Sequence, residues 1–211
     1  MDADRELRFH KRVSVFEAAL MALATICTAW CSYQASTWGG RSSGMRQQAE
    51  TLERKAAVLR VEGHQRMSVY ANLFVQALIA GHDHKEDLEK FFLTRLPPDV
   101  RAAYDKWMAT NPLVNPSAPL HPFVPELYQS PDELTAKRMS AEAAQLMEQS
   151  NRDGNIARSY LSQTVLLACV LFFAGTSAKF DVLTIRRFVI GFGVALFLFA
   201  AGRVLTLPFA P

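Results

Sequence analysis

Glu17 is the first residue whose type and setting invite a chemical role, because it stands inside an apolar run that begins at Val13. A carboxylate costs about 3 kcal/mol at the bilayer centre and less near its edge, so such an acid is kept to carry ions or to neutralise a base. Lys179, Arg186 and Arg187 are expected at the same depth, and an ion pair with one of them is the expected role. On that reading Glu17→Gln leaves folding nearly intact while Glu17→Lys harms it. Gln34, Gln163 and Arg203 fall together near the opposite boundary, with Ser159, Ser162 and Thr164 close in sequence. They line either a polar vestibule or an interhelical hydrogen-bond cluster. The cluster is the expectation, with Arg203 snorkelling towards the headgroups.

Other reactive side chains are sparse. His82-Asp83-His84 with Glu86 and Asp87 gathers imidazoles and carboxylates, but ligands at i and i+2 do not share a helix face. A solvated helix start, with acids at the positive end of the dipole, accounts for them. Cys27, Cys31 and Cys169 all fall in apolar blocks, so no disulfide framework is expected. Cys27 and Cys31 lie one turn apart without His or carboxylate neighbours, and read as small packing residues. No phosphate-binding glycine loop, HExxH or nucleophile elbow occurs. The expectation is no catalytic residue, no cofactor and no metal.

The elements that must position these residues are set by hydropathy. Half of the residues are hydrophobic, yet mean hydropathy is near zero, because the apolar residues crowd into blocks. Each block approaches the roughly 20 residues needed to cross a bilayer. The expected layout is a tail over 1–12, a first span over 13–36, a large domain over 37–159, a second span over 160–178, a turn over 179–187, a third span over 188–207 and a tail over 208–211. The fold class expected is an all-α membrane protein, with a helical bundle inserted between the first and second spans.

Arg5, Arg8, Lys11 and Arg12 precede the first span, and Lys179, Arg186 and Arg187 separate the other two. Positive flanks face the cytoplasm, which places the large domain outside. Residue 30 is Trp where a signal peptidase wants a small side chain, so an uncleaved anchor is expected. Trp30, Tyr33 and Trp38 suit an interfacial belt. Ala18, Ala22, Thr25, Ala29, Ser32 and Ser36 form one small-residue stripe, and Gly191, Ala195, Leu198 and Gly202 another. Packing of these faces within the chain is expected.

Gly39-Gly40 is expected to interrupt the first helix. Beyond it Leu52, Ala56, Leu59, Gly63, Met67, Tyr70, Phe74 and Leu78 form one stripe of a long amphipathic helix ended by Gly81. Short helices over 83–96 and 99–110 follow. Prolines at 112, 116, 119, 122, 125 and 131 then enforce an irregular loop, to which Phe123, Leu127 and Tyr128 give something to bury. A helix from Pro131 carries the stripe Met139, Ala143, Leu146, Ser150, Gly154, Ala157 and Leu161 into the second span. It should lie antiparallel to the first long helix, with Leu59 and Leu146 in the seam. Between Trp38 and Ser159 there are 15 basic and 15 acidic residues, so no stripe for nucleic acid is expected.

Glu17-Ala18-Ala19-Leu20, Thr28-Ala29-Trp30, the run Tyr33 to Trp38, the loop Thr110 to Pro116, and Leu171 to Gly175 with Lys179-Phe180 together resemble a family of functionally uncharacterised bacterial three-span inner-membrane proteins. The resemblance implies the same layout and supplies no activity. The expected function is non-enzymatic interaction or assembly, with the lipid bilayer and further copies or another membrane protein as partners. A periplasmic sensor is the alternative, although the expected cytoplasmic tail and turn are too small for an output domain. An oligomeric channel or transporter component is a third reading, since three spans with little internal charge need several copies to make a pore.

Overall fold

The computed structural model describes residues 2–177, 179–180 and 182–210, and of residues 2–12 and Leu183 the backbone alone. The side chains of Arg5, Arg8, Lys11 and Arg12, and all of Ala178, Asp181 and Pro211, therefore lie outside the described residues. Among the described residues the chain is helical, in the order α1 (Asp2–His82), α2 (Glu86–Thr94), α3 (Pro98–Met108), α4 (Pro131–Ser177) and α5 (Leu183–Leu205). α1, α4 and α5 each contain a stretch long and apolar enough to cross a membrane.

α1 passes through Gly39, Gly40 and Gly44 without a break, contrary to the expected interruption. A glycine in a helix costs about 1 kcal/mol relative to alanine, which weakens a helix without ending it. Trp38 and Ser42, buried on either side, anchor the segment by tertiary packing instead. Gly81 is also helical and α1 ends at His82, while the left-handed residue is His84, at φ 57°. α5 begins at Leu183 instead of 188, so Arg186 and Arg187 belong to its first turns and not to the preceding turn.

Two compact units make up the chain, Met1–Gln47 with Leu146–Pro211, and Gln48–Gln145. In the first, α1 contributes Leu20, Ala24, Cys31 and Trp38, α4 contributes Tyr160, Leu167, Val170 and Ala174, and α5 contributes Ala200 to one core. Ala24, Cys31 and Trp38 are seven residues apart, as are Tyr160, Leu167 and Ala174. That period keeps one seam of each helix turned to its partner. Ser42 and Ser150 lock the pair: each hydroxyl lies 2.8 Å from the other's backbone carbonyl, and the two hydroxyls lie 3.1 Å apart. A Cβ on Gly154 would meet Ser42 Oγ at 3.0 Å, so the glycine permits this approach.

Both small-residue stripes are exposed on the chain, contrary to the expected internal packing. α1 instead buries the neighbouring face that carries Leu20, Ala24, Cys31 and Gln34, where leucine, cysteine and glutamine offer more contact than alanine and serine do. Trp30 and Tyr33 are exposed as a belt requires, but Trp38 is buried.

In the second unit α1 and α4 run antiparallel, since Arg60 reaches Ser140 while Arg66, further along α1, pairs with Asp132, further back on α4. The fully buried seam positions are Ala49, Ala56, Ala136 and Ala143, and Leu59 is only half-buried; Leu146, which begins the other unit's second segment, is half-buried too. Alanine every seven residues lets backbones come close and moves larger side chains to the flanks of the contact. A second core joins Phe74 and Ala77 of α1 to Leu93 of α2, Leu96 of the connection that follows, and Val100, Tyr104 and Trp107 of α3. Phe123, Leu127 and Tyr128 of the proline-rich loop pack against it, as the sequence predicts.

Candidate functional site

Glu17 is buried at one end of the three-helix core of the first unit, 5% exposed, and meets Arg186, 9% exposed. Arg186 donates from Nε to Glu17 Oε1 at 3.0 Å and from a terminal nitrogen to Oε2 at 2.7 Å, a two-pronged pair across α1 and α5. Ser177 Oγ lies 2.7 Å from Glu17 Oε1 and 2.6 Å from the Ala174 carbonyl, so the end of α4 joins the same cluster. Three helices thus converge on one carboxylate. Of the bases expected at this depth the structure selects Arg186; Lys179 and Arg187 are exposed. Ser177 was not foreseen, and its signal is weak: a serine at the end of an apolar helix most often bonds its own backbone, which it also does here.

Gln34 and Gln163 are both buried, at 1% and 5% exposure, whereas Arg203 is exposed. They do not form one cluster. Gln34 Oε1 accepts from the backbone N–H of Ala210 at 2.8 Å. Gln163 Nε2 approaches the Ser159 carbonyl at 3.5 Å and Ser162 Oγ at 3.3 Å, and its buried Oε1 has no hydrogen-bond partner among the described residues. Two unforeseen residues complete this end: Trp38 Nε1 and Tyr160 Oη each donate to the Pro208 carbonyl at 3.2 Å. A post-helical segment carries unpaired backbone groups, and buried Trp and Tyr each carry one donor, so the three needs meet. The only advance signal was an aromatic residue with a polar tip at each helix's boundary. Trp30 packs its ring 6.2 Å from Phe209.

The second unit holds a cavity of about 420 Å³, within the size range of small-molecule sites. Arg60, His64 and Lys137 line it beside Met67, Phe123 and Tyr128, with Glu133 as its acid. In the same unit the Tyr128 phenol is pushed up to about 12, first by burial and then by the Asp99 carboxylate, to which it donates a hydrogen bond. Burial likewise raises Tyr104, with Glu89 adding to the effect. Neither phenol is set to act as a base near neutrality.

His82, Asp83, His84, Glu86 and Asp87 are all exposed, and Lys85 Nζ pairs with Asp83 Oδ2 at 3.0 Å. Among the described residues no three His, Cys, Asp or Glu side chains converge as metal ligands would. Asn111 adopts φ 53° and starts the loop Asn111 to Pro125, where its carbonyl accepts from Val114 and Asn115. Asn115 Nδ2 donates to the Thr110 carbonyl at 3.1 Å, and Trp107 Nε1 donates to the Pro119 carbonyl at 2.6 Å. On this pinned frame Leu113, Val114 and Leu120 stand 80%, 86% and 89% exposed. No protein-family model matches the chain, and neither a curated protein nor a solved structure does.

Proposed function

We propose that the protein is a non-enzymatic, multi-pass component of a bacterial inner membrane, whose helical unit Gln48–Gln145 faces the periplasm and mediates interaction or assembly. The proposal includes membership of the three-span family whose motifs the sequence resembles. The observation that carries the interaction reading is the loop that holds Leu113, Val114 and Leu120 out to solvent. Each aliphatic side chain left in water forgoes about 2 kcal/mol of burial, and a loop pinned by side-chain hydrogen bonds does not collapse to recover it. Apolar tips on an ordered loop support contact with another protein surface. Simultaneous Leu113→Ser, Val114→Ser and Leu120→Ser should leave the melting temperature of the full chain unchanged. The same triple variant should abolish the intermolecular crosslinks that a photoreactive residue at position 115 forms in intact membranes. Crosslinks that persist in the triple variant would refute this loop as the contact.

Orientation rests on the basic flanks. Reporter fusions after Ser43 and Asn151 should both give a periplasmic signal and a fusion at Ile185 a cytoplasmic one; a cytoplasmic signal at both outer sites would reverse the layout.

A periplasmic sensor without its own output domain is the second reading, favoured by the cavity lined by Arg60, His64 and Lys137. Arg60 and Lys137 give the cavity two cations against the single acid Glu133, and Met67 and Phe123 give it apolar wall, which suits a small anion with an aromatic or aliphatic body.

A further inference from the structure

We infer that the exposed face of α1 in the unit Gln48–Gln145 pairs with the same face of a second copy of this chain, as a parallel two-stranded coiled coil. Val58, Val61, Val75 and Ile79 of that face are 47–56% exposed. All four are β-branched, so each weakens the helix at a position where nothing within the chain packs over it. Gln65, Ser68 and Asn72 fall between them and are exposed too. From 58 to 79 these residues alternate steps of three and four, the seam of a heptad repeat. The seam lies on the side of α1 opposite the buried Ala56, Phe74 and Ala77.

The chemistry of the seam specifies its occupant. Across a two-fold axis each seam residue meets its own image, which excludes charges. The seam carries none between 58 and 79, although Arg60, Glu62 and Arg66 stand beside it on the same helix. Gln65, Ser68 and Asn72 each hold a donor and an acceptor, so each can bond its image. Asn72 gives one N–H to the Ser68 carbonyl at 2.9 Å, which leaves its second N–H and its Oδ1 for this. It also occupies the same heptad position as Val58 and Ile79, where a polar side chain fixes register and strand number. The next position back, Arg54, ends the seam, and there Glu50 of one copy faces Lys55 of the other with opposite charge. The inference gives the assembly reading its partner. Its parallel direction rests on the membrane reading, since two copies threaded alike through one bilayer point the same way, and co-flotation of the chain with vesicles tests that reading separately.

The experiment places single cysteines in two differently tagged copies of the full chain and treats intact membranes with a short bismaleimide. Cys169→Ser removes the exposed native thiol throughout. Val58→Cys and Ile79→Cys should each link the two tags about fivefold more than Thr135→Cys or Glu142→Cys, which are also exposed but lie on α4. Linkage of like residues at both ends of the seam requires parallel strands in register. Asn72→Lys, which sets a charge against its image, should abolish the linkage through Ile79→Cys while the chain keeps its helical circular dichroism. The inference is overturned by tags that stay unlinked at 58 and 79, by linkage there to a different protein, by equal linkage at the α4 positions, or by linkage that survives Asn72→Lys.

Discussion

Glu17→Gln is expected to lower the unfolding free energy of the full chain by about 3 kcal/mol, because it removes one charge of a buried pair and leaves the other uncompensated. Glu17 and Arg186 are both largely buried, and Arg186 spends two donors on this carboxylate. The sequence alone suggested that Gln would be tolerated, since Glu17 lies near the expected bilayer edge, where a charge costs less than at the centre. Burial of the guanidinium reverses that expectation. Arg186→Leu should cost about as much, but Glu17→Leu with Arg186→Leu should recover most of the loss, since apolar side chains replace a buried pair at little cost. A double-mutant cycle of Glu17→Leu, Arg186→Leu and the two together, read by thermal unfolding in detergent, measures this coupling. Additive single effects would mean that the two residues do not depend on one another.

Trp107→Ala should be the most damaging single change in the unit Gln48–Gln145, at about 4 kcal/mol for a buried aromatic truncated to a methyl. The Trp107 ring stands 5.2 Å from Phe74 in an edge-to-face contact, and its N–H holds the Pro119 carbonyl. Trp107→Phe separates the two roles: the core keeps a ring while the loop loses a donor, at a cost of about 1 kcal/mol. Limited proteolysis of Trp107→Phe should then cut first between Asn111 and Pro122, before the helices. A melting temperature unchanged in Trp107→Ala, or cleavage elsewhere in Trp107→Phe, would remove Trp107 as the keystone of this core.

The three apolar helices were legible because hydropathy over about 20 residues is a sum, insensitive to which partner each side chain meets. The half-buried loop residues Phe123, Leu127 and Tyr128 were legible for a related reason, as apolar side chains in a polar, proline-rich stretch. Contacts among specific polar atoms were not. Gln34, Gln163 and Arg203 share a depth, but depth fixes one coordinate and leaves rotation about each helix free; the structure turns two inward and one outward. Rotation also defeated the small-residue stripes, which were chosen for spacing and then found on the outside. Leu59 and Leu146 illustrate the same limit at finer scale. Both are half-buried, while the alanines three residues before them, Ala56 and Ala143, take the buried positions.

The clamp at Glu17 also has a timetable. Its partner lies 169 residues further along the chain. At ordinary synthesis rates of 5–20 residues per second that separation is on the order of 10 s. During that interval Glu17 is without Arg186, and Ser177 arrives shortly before Arg186 does. The pair therefore closes only once α5 has been made, so this contact between α1 and α5 is settled late in synthesis.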